Sequence, residues 1–191
     1  MAWGALLSNG FVEERPRAVL LGLVGYWVAW LLLFRRRSMG SALSTLEHEL
    51  THALFATLTF HRVKLTSIRT SWNNGGEIAF HGEGNWLIYL APYFFPTLTV
   101  GVAVWSSFQP GEWVPYAMGA TWAYHATSTW RETHAGQTDL QRSGWVFSWL
   151  FLPGANLVSM GGLLAVALGG APALEAFLTA TWTSTEALFV P

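Results

Sequence analysis

The sequence predicts an all-α polytopic membrane protein, with five to six transmembrane helices and a short β-hairpin after the second of them. Three observations carry this expectation. Charged residues make up 11% of the 191 residues, against about 25% in ordinary soluble domains. The apolar share is 52%, with 12 Trp and 12 Phe. The charges are also clustered, so that residues 18–34, 84–111, 113–130 and 143–174 contain no Asp, Glu, Lys or Arg. A hydrocarbon core about 30 Å thick needs roughly 20 apolar residues of helix to cross it, and several of these stretches reach or approach that length. The absence of Cys excludes disulfides, a thiolate nucleophile and Cys-ligated zinc. A net charge of −1 with no basic face argues against a nucleic-acid partner.

Each element follows from its local pattern. Residues 1–17 form a polar lead-in. Ala18–Phe34 is a first apolar helix closed by Arg35, Arg36 and Arg37; Arg replaces the small residues of a cleavage site, so the segment reads as a retained anchor. Residues 38–60 form a second helix and carry Glu47 and Glu49 inside the run. Residues 61–84 then alternate in the manner of a hairpin, with a turn at Asn73–Gly76. Trp86–Phe108 is a third segment, and its Pro92 and Pro96 imply a kink with freed backbone groups satisfied locally. Trp113–Trp130 is the fourth segment and Trp145–Leu168 the fifth. The tail 172–190, which carries Glu175 and Glu186, is the sixth candidate. No linker divides the chain, which reads as one domain over 1–191 with the hairpin as an insertion at about 61–84.

Chemistry enters at His48-Glu-Leu-Thr-His52, an H-E-x-x-H match. On a helix the two His stand on one face and bind one zinc, with the Glu placed as general base. At about 100° per residue, Ser41, Thr45, His48, His52, Ala56 and Thr59 share a stripe, Glu49 lies at its edge, and Leu43, Leu46, Leu50, Leu54 and Leu58 lie opposite. A carboxylate at membrane depth costs roughly 2.5–3.5 kcal/mol even on the lenient insertion scale, so such residues are functional by default. Glu47 points away from the stripe, towards a supporting or structural role. A catalytic zinc takes three protein ligands and keeps one position open. His125, Glu132 and Asp139, spaced by seven, share a face if their helix runs that far. They then spread over about 21 Å, so at most one of them reaches the same ion.

Thr45-Leu-Glu-His-Glu-Leu-Thr-His-Ala-Leu-Phe-Ala56, continuing into a Gly-rich hairpin and further apolar helices, resembles the site-2 protease family of intramembrane zinc metallopeptidases. In that family the third ligand is an Asp on a later helix, usually in Leu-Asp-Gly. The nearest counterpart here is Gln137-Thr-Asp-Leu140, so the resemblance makes Asp139 the preferred third ligand. His125 stays open as the alternative ligand or as an oxyanion donor. Asn156 stays open between helix–helix hydrogen bonding and a transition-state contact. The resemblance implies one Zn2+ per chain, a membrane-embedded or membrane-proximal peptide substrate, and a multi-pass location, expected in a prokaryotic cell membrane. The competing enzyme is a membrane zinc peptidase of the prenyl-tail-processing type, for which Glu132 would be the third ligand. The non-enzymatic alternative is a membrane scaffold or transporter subunit with a structural, four-ligand metal site.

Overall fold

The computed structural model describes residues 11–34, 40–71, 75–80, 84–134 and 136–187. The Arg35–Arg37 triplet and Asn73 and Asn74 of the expected turn lie outside them. The first apolar run forms helix α1 (Phe11–Ala29), continued by a π-helical turn at Trp30–Phe34. It lies along α5 (Trp113–Glu132), where small residues let the two backbones meet. A Cβ at Gly119 would sit 2.1 Å from the Val19 carbonyl oxygen, and one at Gly22 would sit 2.0 Å from that of Tyr116. Gly119→Ala is therefore expected to lower stability by about 1–3 kcal/mol, read as a lower Tm in detergent. Gly25→Ala, where a Cβ meets nothing within 4 Å, is expected to be nearly silent.

Helix α2 (Gly40–Leu58) carries the H-E-x-x-H motif. Its leucine side faces outward, with Leu43 53% and Leu58 60% exposed, whereas Glu49, His52 and Ala56 are buried. The helix closes with crossed bonds, from the His61 N–H to the Ala56 carbonyl at 2.8 Å and from the Phe60 N–H to the Thr57 carbonyl at 3.0 Å. Phe60 takes the left-handed conformation, φ 63°, that this kind of closure requires. The chain then enters strand β1 (Val63–Ser71), which pairs antiparallel with β2 (Gly75–Phe80). Val63 opposes Phe80 and Ser71 opposes Gly75, with a register shift between Lys64 and Arg69.

The third segment is broken, as its prolines require. Helix α3 (Trp86–Leu90), capped by Asn85 Oδ1 accepting from the Ile88 N–H at 3.0 Å, runs into a 3-10 turn at Ala91–Tyr93. After Pro96 the chain resumes as α4 (Thr97–Phe108), and the two parts meet at 79°. The freed carbonyls find partners on another helix: Asn156 Nδ2 donates to the Tyr93 oxygen at 2.9 Å, and Ser159 Oγ to the Phe94 oxygen at 2.6 Å. Glu47 serves the other end of the break, accepting from the Leu98 N–H at 3.0 Å. Its carboxylate stabilises the positive end of α4, which is the supporting role its position suggested.

Two features set the course of the second half. Helix α5 ends at Glu132, so His125, Glu132 and Asp139 do not share one helix face; Asp139 lies on a separate short helix, α6 (Thr138–Ser143). Helix α7 (Trp145–Glu186) has 42 residues, which would span about 63 Å if straight, twice the hydrocarbon thickness. It is not straight, because Gly170 at φ 69° interrupts it. Gly161 packs on Phe177 and Gly162 on Leu174, so the portion after the break folds back along the portion before it.

Among the described residues, two helices, Glu14–Leu33 and Trp145–Glu186, are able by length and composition to cross a membrane, and the bent pair Trp86–Tyr93 with Thr97–Phe108 makes a third if it counts as one span. Five to six spans would also require α2 and α5. These have 19 and 20 residues, enough to cross, but their His, Glu, Ser and Thr dilute the apolar signal. Outward-facing Leu20, Leu32, Val104, Trp105, Leu150 and Leu157 make the exterior apolar on several helices at once, far beyond what a water-exposed surface carries.

Candidate metal centre

His48 and His52 stand one turn apart on α2, their ring centroids 4.7 Å from each other. Both turn Nε2 towards the same atom, Asp139 Oδ2, which lies 3.3 Å from His48 and 3.4 Å from His52. Ligand atoms from the three side chains all lie within 4.8 Å of one another, and among the described residues this group is able to hold a metal ion. The two distances are long for N–H···O hydrogen bonds, which cluster near 2.9–3.0 Å. They match the edge of a tetrahedron: donors at about 2.0–2.1 Å from zinc stand about 3.3–3.4 Å apart.

The far nitrogens of the two rings support the same assignment. His52 Nδ1 lies 2.8 Å from the Ile88 carbonyl oxygen, and His48 Nδ1 lies 2.8 Å from Glu132 Oε2. Both partners are acceptors, so the tautomer that satisfies them has the proton on Nδ1, and this would leave each Nε2 lone pair for a metal. Two such lone pairs and one carboxylate oxygen form a zinc-type donor set.

The fold delivers Asp139 by anchoring the residue beside it. Leu140 is buried among Leu90, Tyr93 and Leu152. Gly144, at φ 90° and ψ 119°, separates α6 from α7, a backbone conformation that a side chain would oppose. Asp139 sits in the first turn of α6, yet the N-cap there is Gln137, which makes no side-chain cap bond. The carboxylate instead faces the histidines and accepts from the Tyr93 hydroxyl at 3.4 Å. Tyr93 also lies edge-on to the His48 ring, at 5.4 Å between centroids.

Glu49 is buried, next to His48 on α2. His125 is buried in α5 with Nε2 3.3 Å from Thr129 Oγ1, and it is not a member of the converging group. Asn156 lies on α7, where it donates to the Tyr93 and Leu152 carbonyls at 2.9 Å each. The Leu152 bond stays within α7, whereas the Tyr93 bond joins α7 to the turn that carries Tyr93, the kind of inter-element hydrogen bond that was one of its two expected roles. Glu132 meets His48 on Nδ1, away from the Nε2 side that a third ligand would occupy. Tyr93 and the Ile88 carbonyl escaped the sequence analysis. For Tyr93 a signal existed, a hydroxyl between two prolines inside an apolar run; a main-chain carbonyl leaves none.

A metal-type donor set beside a buried glutamate, on helices with an apolar exterior, is the arrangement that a membrane metallopeptidase requires. A family model described as Peptidase M50B-like matches residues 17–136, and the chain belongs to that family, in agreement with its resemblance to the site-2 proteases. The match contains the H-E-x-x-H helix, the hairpin, the broken helix and α5; Asp139 and α7 lie beyond it. No curated protein and no solved structure matches the chain.

Proposed function

We propose that the protein is a zinc-dependent endopeptidase that hydrolyses peptide bonds within or next to the membrane. One zinc per chain is held by His48, His52 and Asp139, with Glu49 as general base. The observation that carries this reading is the pair of 3.3 and 3.4 Å separations on Asp139 Oδ2, with both Nδ1 atoms engaged elsewhere. Zinc bound there supplies Lewis acidity, which polarises a carbonyl and brings the pKa of water towards about 7. His48, His52 and Asp139 would supply three protein ligands, the number typical of a catalytic zinc site, whereas a structural site is closed by four. Glu49 accepts the proton of the attacking water and returns it to the departing amine. Burial of His52 and Glu49 excludes bulk water and strengthens these interactions.

The partners proposed are a membrane-embedded or membrane-proximal protein or peptide and the bilayer itself, with a multi-pass arrangement in which α2 and α5 also cross. A helical substrate hides its carbonyls, so it must unwind, and the edge of the β1–β2 sheet offers an extended segment backbone partners. The position of Glu132 on His48 Nδ1 favours this reading over the prenyl-tail-processing type, which needs that carboxylate as a ligand.

Purified protein is expected to contain about one zinc per chain, and His48→Ala and His52→Ala are each expected to lose it. Chelation should stop cleavage of a membrane-embedded test substrate and added zinc should restore it. Wild-type zinc content in both histidine variants would reject the site.

A further inference from the structure

We propose that Glu132 is a positioning residue of the metal centre, accepting the His48 Nδ1–H and thereby holding the ring with Nε2 towards Asp139. This rests on the zinc-site reading above. The 2.8 Å separation on the Nδ1 side is a well-formed hydrogen bond with a charged acceptor, in contrast to the 3.3 Å separation on the Nε2 side. Both oxygens of the carboxylate are engaged. Oε2 takes His48, and Oε1 accepts from the Ser44 hydroxyl, which also lies 2.8 Å from Ser128 Oγ.

The spacing shows how this is built. Ser44 precedes His48 by one turn on α2, and Ser128 precedes Glu132 by one turn on α5, so the two helices are joined at the level of the motif. The stability of α5 does not account for Glu132. It is the last residue of the helix, where the negative end of the dipole disfavours a carboxylate. Its side chain is only 21% exposed, so the charge is partly desolvated as well. The two histidines are therefore held differently, His52 by a neutral main-chain carbonyl and His48 by an anion from another helix. An anionic acceptor fixes the tautomer and makes Nε2 a stronger donor to a metal.

The test uses the full-length protein in detergent, with zinc affinity measured by competition against a chromogenic chelator. Glu132→Ala is expected to weaken zinc binding by about 10–100-fold, the usual effect of removing such a supporting acceptor. Glu132→Gln keeps an acceptor oxygen without the charge and is expected to lose less, though still several-fold. With Co2+ in place of zinc, the visible absorption of saturated Glu132→Ala should keep the wild-type envelope, because the donor atoms are the same. Wild-type affinity in Glu132→Ala overturns the positioning role. If Glu132→Ala fails to fold, wild-type affinity in Glu132→Gln overturns it alone. Loss of stoichiometric zinc together with a changed Co2+ spectrum would make Glu132 a ligand and overturn the proposal from the other side. Failure of the wild-type protein to bind zinc would instead remove the metal site itself, an outcome distinct from any of these.

Discussion

Glu49→Gln is expected to leave zinc content and folding nearly intact while lowering peptide-bond cleavage by about 10²–10⁴-fold, the typical contribution of a general base. Glu49 is buried beside the histidine pair without being one of the three converging ligands. Gln keeps its shape and hydrogen-bonding capacity, so the packing of α2 has no reason to change. What Gln lacks is a basic oxygen able to take the proton of the attacking water. Metal analysis and thermal unfolding measured beside cleavage of a membrane-embedded substrate separate the two effects. Retained cleavage by Glu49→Gln would remove the residue from the mechanism. Unaltered behaviour in every assay would point to the scaffold alternative, in which the metal site is structural.

The second large effect is expected at Asp139. Asp139→Asn should weaken zinc binding by more than about 100-fold, beyond the range typical of groups that only support a ligand. The substitution exchanges an anionic oxygen donor for a neutral one at the atom on which both histidines converge. If Asp139 merely opened helix α6, the change would be nearly silent, since Asn serves a helix start about as well as Asp. In the structure the carboxylate is directed to His48, His52 and Tyr93. Zinc titration of His125→Ala provides the control. That variant is expected to keep its metal, because His125 faces Thr129 and lies outside the converging group. Loss of metal only in His125→Ala would reverse the assignment.

The H-E-x-x-H helix was legible because helical periodicity is local. Positions four apart share a face whatever the rest of the chain does, so the outward leucines and the buried Glu49 and His52 follow from spacing alone. The break at Pro92–Pro96 was legible for the same reason, since a missing N–H and a fixed φ act within one turn. The groups that repair the break were not. Asn156 and Ser159 lie 63 and 65 residues away from their acceptors, and only packing brings them there. The shared face of His125, Glu132 and Asp139 required one helix to run as far as Asp139, and it does not form because α5 ends at Glu132.

By itself, then, the sequence determined an apolar multi-helix chain, the face of α2 that carries His48, Glu49 and His52, and the place where the third segment bends. These depend on interactions between residues a few positions apart. The tertiary structure alone decided that Asp139 and Glu132 reach opposite nitrogens of one imidazole, that Tyr93 stands beside them, and that α7 turns back at Gly170. Each of these outcomes depends on where helices end and how they pack. Such long-range choices are made by the burial of Leu140, the approach of α1 to α5 at Gly22 and Gly119, and left-handed turns at single glycines. A seven-residue spacing between two carboxylates is compatible with one helix face or with two helices, and only three-dimensional packing selects between them.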